Sequence, residues 1–313
     1  MKQKSIYRIN NWKDYNKFLV NRGRINFWFD KKTVNNWYNL DISQKAGRPL
    51  VYSDIAIECL LTLRIVFNLS LRATEGFARS LFEIMNLDLQ CPDYSTLCIR
   101  QKSLEVFLPK TKHPGEPLHI VVDSTGVKIF GEGEWKVRQH GYTKRRTWRK
   151  LHIGVNPENH IIEAAAVTTN NVKDCEILED LLKQIEGEVS QISADGAYDA
   201  HYIYEMIANK GAQAVIPPRK DAVIRQHGNC KDPPLARDDV IRSIRKLGLK
   251  RWKKENNYHQ RNLSETAMFR IKSIFGNSLS SKTFDNQGVE LLLRCRALNL
   301  MTSLGMPNSY RCT

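Results

Sequence analysis

The hydrophobic pattern is densest in Leu118–Phe130, LHIVVDSTGVKIF. His119–Val122 is short, apolar and β-branched, which predicts a buried central strand. The run reaches a carboxylate at Asp123, and Ser124-Thr125-Gly126 is expected to turn the chain into a second β-rich run, Val127–Phe130. An aspartate in this position either starts a hairpin turn or stands on rigid backbone at the edge of the core, where a metal ligand or catalytic acid is best held. Leu151–Val155 and His160–Thr169 predict two more strands joined at Asn156–Asn159, so three or four consecutive strands run antiparallel. Val189–Ala194 repeats the first device, a β-run closed by a carboxylate, Asp195, in SADGAYD. Ala212–Ile216 adds a last strand, closed by Pro217-Pro218.

Helical periodicity frames these strands. Residues 53–69 carry Ile57, Leu60, Leu61 and Leu63 behind Ser53 or Asp54 as cap, and Ser70 caps a helix through Ala73–Met85. Pro92-Asp93 opens a third helix, Tyr94–Leu104, expected to expose Ser95, Thr96, Arg100 and Lys102. Three short helices ending in a basic, hydroxyl-rich one suit a helix-turn-helix-like DNA-binding unit, although plain bundles share that pattern. Residues 1–50 are polar, basic and dotted with aromatics, and read as a loosely packed arm. The breakers in LPKTKHPGEP mark a linker, placing an N-terminal helical domain at 1–110 and a second domain at 116–313. Within the latter, Cys175–Glu186 predicts an amphipathic helix capped by Asp174, and Asp199 caps a helix over His201–Lys210. Residues 219–257 read as a basic, irregular insertion. A helix lined by Leu263, Ala267, Ile271, Ile274 and Phe275 and another over about 288–304 complete the chain.

Charge narrows the function. The 313 residues hold 48 Lys and Arg against 33 Asp and Glu, a net +15 that points to a polyanionic partner, most simply nucleic acid. No apolar stretch reaches the ~18 residues of a membrane span, and the N-terminal MKQKSIYRINNWKDY lacks the apolar core of a secretory signal. Seven scattered cysteines without a C-x-x-C pair fit reduced thiols in a cytoplasmic, nucleoid-associated protein. Gly131–Lys150 interleaves Lys144, Arg145, Arg146 and Arg149 with aromatics including Trp148. Such a run is either a solvated charged face or a surface whose cations neutralise phosphates while rings stack on bases.

The chemistry rests on three carboxylates. Tyr258, Arg261, Glu265 and Lys272 follow one another at steps of three, four and seven, so they share one helix face. Arg261 and Glu265 at that spacing also suit a simple surface ion pair. Asp123, Asp195 and Glu265 together form a set of hard oxygen ligands suited to Mg²⁺ or Mn²⁺. Two such ions about 3.5–4 Å apart activate a nucleophilic oxygen and stabilise a leaving one in phosphodiester chemistry.

The segments DSTGVKIFGEGEWKVRQHGYTKRRTWRKLH, SADGAYD, IPPRK and YHQRNLSETAMFRIKSIFG resemble the DDE transposases of the IS5 insertion-sequence family. That family's third-carboxylate motif, Y-(2)-R-(3)-E-(6)-K, is met at every spacing by Tyr258, Arg261, Glu265 and Lys272. The resemblance implies an α/β chain: an RNase H-like catalytic domain built on a mixed five-stranded sheet, preceded by the helical DNA-binding domain. It implies that Asp123, Asp195 and Glu265 converge on two Mg²⁺ or Mn²⁺ ions, with Tyr258, Arg261 and Lys272 holding DNA. The implied partners are transposon terminal inverted repeats and target DNA, with a homodimer or higher assembly on DNA and no membrane. The implied reaction is end cleavage followed by strand transfer. A catalytically silent DNA-binding protein and a stand-alone metal-dependent nuclease are the alternatives.

Overall fold

A computed structural model of the chain describes residues 6–40, 49–109, 115–129, 148–226 and 233–312. They divide into two compact units, residues 1–107 with 296–313, and residues 108–295. The span expected for the second domain therefore differs at its C-terminal end, where β8 (Ser309–Cys312) pairs antiparallel with β1 (Ile6–Ile9) in the first unit.

In the first unit the stretch read as a loose arm is structured. It forms α1 (Trp12–Arg22), α2 (Ile25–Trp28) and α3 (Lys31–Asn35). Trp28, Phe29 and Trp37 are core residues: the Trp37 ring meets Phe82 edge-on at 5.1 Å and Phe29 at 5.9 Å, and its indole N–H donates to the Gln90 carbonyl. An aromatic cluster lacks the spacing of an aliphatic stripe, so periodicity does not reveal it. The three expected helices are α4 (Asp54–Val66), α5 (Leu71–Ile84) and α6 (Tyr94–Ser103). Each begins on a side-chain cap: Ser53 accepts from the Ala56 N–H, Ser70 from Ala73 and Asp93 from Thr96. The three pack on one another pairwise. Arg100, expected to be exposed on α6, is buried instead, donating to the Tyr52 carbonyl and to Asp54.

The second unit is built on β2 (Leu118–Ile129), β3 (Trp148–Val155), β4 (Ile162–Thr169), β5 (Val189–Ser193) and β6 (Gln213–Val215). Their spatial order is β4-β3-β2-β5-β6, with β2–β3–β4 antiparallel and β2–β5–β6 parallel. A two-residue strand, β7 (Ser278–Leu279), pairs parallel to the end of β2. The sheet is therefore mixed, as the resemblance implies. The expected turn at Ser124–Gly126 is absent: β2 runs 12 residues without interruption, since Ser124, Thr125 and Gly126 pair with His152, Leu151 and Lys150 of β3. A neighbouring strand satisfies their backbone groups, so no turn is needed. Gly126 also lets the Trp148 ring lie close, since a Cβ there would sit 3.2 Å from it.

Alternate residues of β2 serve opposite faces. Leu118, Ile120 and Val122 join the main core with α7 (Leu178–Gln184) and α8 (His201–Asn209), through Leu178, Leu181, Leu182, Ile203, Tyr204 and Ile207. The helix expected over Cys175–Glu186 opens as a 3-10 turn, Asp174–Ile177. On the other side α11 (Asn262–Phe275) packs against β2 and β3 through Ser264, Ala267, Met268 and Ile271. Ile274, expected on its buried side, is exposed.

The described part of the insertion at 219–257 is irregular over 219–226 but then forms two helices, α9 (Ala236–Leu247) and α10 (Leu249–Glu255). Val240, Ile241, Ile244 and Leu247 of α9 recur at helical spacing, a stripe that reading the stretch as irregular overlooks among its many charges. The last helix, α12, spans Phe284–Ser303 and contains the division between units. Among the described residues, no helix is long and apolar enough to cross a membrane.

Candidate active site

Strand register brings the two aspartates together. In the parallel β2–β5 pair Val121 lies opposite Ser193, and two residues on along each chain stand Asp123 and Asp195. Asp123 is held in mid-strand rather than at a tip, its side chain 14% exposed. Burial pushes its carboxyl above the usual range and the Asp195 charge adds to this, against hydrogen bonds from the Ser124 N–H, Arg261 and Ser264. Asp195 follows β5 directly and accepts the Ala197 N–H at 2.9 Å, capping a 3-10 turn, Gly196–Tyr198.

The third carboxylate arrives on α11. Asn256 is tied to the sheet by Gln191 of β5, which donates to its carbonyl, and by Gln213 of β6, which donates to its side chain. Asn257 then takes a left-handed backbone (φ 52°), and a 3-10 turn, Tyr258–Arg261, leads into the helix. The Arg261 guanidinium donates from Nη1 to Asp123 Oδ2 at 3.1 Å and from Nη2 to Glu265. Ser264 Oγ donates to the same Asp123 oxygen at 3.1 Å. Two turns on, Lys272 Nζ donates to Thr125 Oγ1 at 2.6 Å, and burial pulls its pKa down. Burial opposes the charge of Arg261, yet Asp123, Tyr258, Glu265 and Asp195 around it override this and raise its pKa. Asp123 and Glu265 pair with this guanidinium directly, whereas Asp195 makes no ion pair with it among the described residues. Tyr258 is half-buried beside Lys253, whose Nζ lies 4.9 Å from the ring centroid, and burial pushes its hydroxyl pKa up.

The basic segment is only partly described, because Lys144, Arg145 and Arg146 lie outside the described residues. Trp148 and Arg149 open β3, and both are engaged within the unit. Lys128 Nζ sits 5.6 Å over the Trp148 ring, while Arg149 donates to Gln287 Oε1 and lies 5.1 Å over Phe284.

Two aspartates expected as helix caps do other work. Asp174 accepts from Lys150 Nζ at 3.0 Å, and Asp199 is gripped by Arg237. Sequence reading missed Ser264, Thr125, Gln191 and Asn256, which hold the carboxylate-bearing elements in place. Spacing gives no sign of them, since each acts through a contact distant in sequence. Beside Asp174, His152 is fully buried, hydrogen-bonded through Nε2 to Thr168 Oγ1 at 2.9 Å. Burial lowers its pKa from 6.5 to about 4. In the unfolded chain the imidazole takes up a proton near pH 6.5, whereas the folded chain resists until about 4. Stability is therefore expected to fall as pH drops through that window, by up to about 3 kcal/mol. His152→Gln should flatten this part of a melting-temperature profile against pH, and an unchanged profile would exclude His152 as its source.

The donor set, all carboxylate oxygen with a buried member facing a second acid, fits a hard divalent ion. Among the described residues, no three acidic, His or Cys side chains are close enough to hold one in this arrangement, and Arg261 bridges two of the three acids instead.

Among solved structures, the chain is similar to a piggyBac transposase synaptic complex with hairpin DNA, at 11% identity and a TM-score of 0.40 over 96% of this chain and 77% of that one. It is also similar to the Drosophila P element transposase strand transfer complex, at 11% identity and a TM-score of 0.30 over 83% and 82% of the two chains. A family model described as a transposase DDE domain matches residues 20–132, and a second of the same description matches residues 114–300. The second match takes in β2, β5 and α11 with Asp123, Asp195 and Glu265, and by it this chain belongs to the DDE transposases.

Proposed function

We propose that the chain is the transposase of an IS5-type insertion sequence, which binds the element's terminal inverted repeats, cleaves at the ends and transfers the strand into target DNA. The observation that carries this reading is the pairing of Arg261 with both Asp123 and Glu265, with Asp195 just past the strand that neighbours that of Asp123, in a chain of net charge +15. When bound by these carboxylates, one or two Mg²⁺ or Mn²⁺ ions supply charge neutralisation and an activated oxygen nucleophile. Asp123, on a central strand, gives that site its rigid member, and Asp195 and Glu265 close it from the β5 end and from α11. Lys272, Arg261 and Tyr258 lie along the same helix and its lead-in turn, where cations and a hydroxyl orient a phosphodiester beside the acids.

Exposed Arg245, Lys246, Lys250 and Lys254 of α9 and α10 add a basic face for the flanking duplex. In the first unit, α6 presents Ser95 and Lys102 but not Arg100, so a major-groove contact there rests on fewer groups than the sequence offered. Joining two element ends to one target requires two active sites, which favours a homodimer or higher assembly on DNA.

The test is incubation of the purified chain with its own element's ends and a target duplex, with and without Mg²⁺, resolving products by strand. A joined product is expected. Cleavage without joining would instead identify a nuclease, and end binding without either a silent DNA-binding protein. Affinity for end DNA is expected to fall steeply with salt, roughly 10³-fold between about 50 and 200 mM if six or more phosphates are neutralised. A flat response in a filter-binding series would exclude a large phosphate footprint.

A further inference from the structure

We propose that Arg261 is the internal counter-ion of the metal site: a cation that must release Asp123 and Glu265 before a divalent ion takes them, and that DNA phosphate draws off. The inference rests on the reading of Asp123, Asp195 and Glu265 as the metal ligands.

Both oxygens of Asp123 are engaged. Its Oδ1 accepts the Ser124 N–H at 2.8 Å, and its Oδ2 accepts both Arg261 Nη1 and Ser264 Oγ at 3.1 Å. Arg261 Nη2 donates to Glu265 at the same time, so one planar fork spans two of the three acids. A divalent ion binding Asp123 and Glu265 would use oxygens that now accept from the guanidinium. Two cations held at one pair of carboxylates repel, so occupancy by one disfavours the other.

Leaving is easy for this side chain. Arg261 stands where the 3-10 turn passes into α11, so a change of rotamer moves its head group without moving the backbone. It remains 18% exposed and has a route to solvent. A phosphate offers the same bidentate acceptor geometry as a carboxylate. An arriving DNA strand therefore trades partners with it: the guanidinium takes phosphate and the carboxylates become free for metal. Metal and DNA then help each other bind, and the help is reciprocal.

The experiment measures Mn²⁺ binding to the full chain without DNA, from the electron paramagnetic resonance signal of the free ion. The proteins compared are the unmodified chain, Arg261→Gln, Arg261→Lys and Asp123→Asn. Arg261→Gln is expected to bind Mn²⁺ about fivefold or more tightly than the unmodified chain. Arg261→Lys, which keeps the charge but cannot span both acids, should fall between them. Adding a short end duplex should raise Mn²⁺ affinity more in the unmodified chain than in Arg261→Gln. Equal or weaker Mn²⁺ binding by Arg261→Gln would overturn the proposal and make Arg261 a residue that merely orients Asp123. If Arg261→Gln fails to fold without metal, Arg261→Lys decides alone, and no gain in its affinity overturns the proposal. Asp123→Asn separates the two levels: unchanged Mn²⁺ binding in that variant removes the metal-ligand reading itself, and the proposal with it.

Discussion

Asp123→Asn, Asp195→Asn and Glu265→Gln are each expected to lower Mg²⁺-dependent end cleavage by about 10³-fold or more, because on the proposed reading each removes one charged oxygen ligand of the ions that activate the attacking group. Each amide is close in shape to the acid it replaces, so the fold and the basic surfaces are retained and end binding should stay near that of the unmodified chain. The three differ in a second respect. Asp123 is mostly enclosed and anchors both Arg261 and Ser264, so its amide loosens the start of α11 as well. Glu265 is 55% exposed and pairs with Arg261 from the helix surface, so its variant reports on chemistry more purely. Cleavage and electrophoretic mobility shift on the same preparations give the comparison. A variant that keeps its Mg²⁺-dependent rate takes that residue out of the site.

The largest loss of stability is expected from Arg237→Ala. The Asp199 side chain is wholly enclosed, and Arg237 grips it with Nε to Oδ1 at 2.7 Å and Nη2 to Oδ2 at 2.9 Å. The Arg219 N–H adds a third bond at 2.9 Å. Burial alone would raise the Asp199 pKa, but the charge-assisted bonds from Arg237 and the Arg219 N–H override it and hold the carboxyl below its ordinary value. Removing Arg237 leaves a buried charge without its partner, at a cost of about 3–5 kcal/mol. Arg237→Lys should recover part of this, since an ammonium cannot make both bonds. Because the folded pKa is depressed, this contribution is full above the ordinary carboxylate range and fades as pH falls through the lower folded value. Asp199 lies four residues beyond Asp195, so cleavage should suffer with stability. Urea unfolding followed by a probe in residues 108–295 measures the loss. A cost below about 1 kcal/mol would mean that the pair is solvated in solution.

The elements legible in the sequence were those whose stabilising contacts are local. Ser53, Ser70 and Asp93 announce their helices because a cap bonds within three residues of itself. The apolar run at Ile120–Val122 announces a central strand because both its faces are covered. Asp123, Asp195 and Glu265 stood out through the strands and helix that carry them and through the spacing of the Tyr258–Lys272 motif. What was misread depends on distant partners. Ser124–Gly126 looks like a turn until β3 lies beside it, and Asp174 and Asp199 look like caps until Lys150 and Arg237 arrive from elsewhere. The helix α9 does carry an aliphatic stripe, Val240, Ile241, Ile244 and Leu247, and only the dense charge around it makes the stretch look irregular. Trp37 and Phe29 were assigned to a loose arm because their packing partner, Phe82, is far along the chain.

The pairing of Ile6 with Cys312 sets a schedule for biosynthesis. A chain leaving the ribosome usually completes its domains from the amino end onward. Here the ladder between β1 and β8 must wait until Cys312 has been made, while the contacts inside residues 108–295 are available earlier. The later unit of the polypeptide can mature first, and a message cut short after it would yield the mixed sheet with its acids but leave β1 without its partner strand.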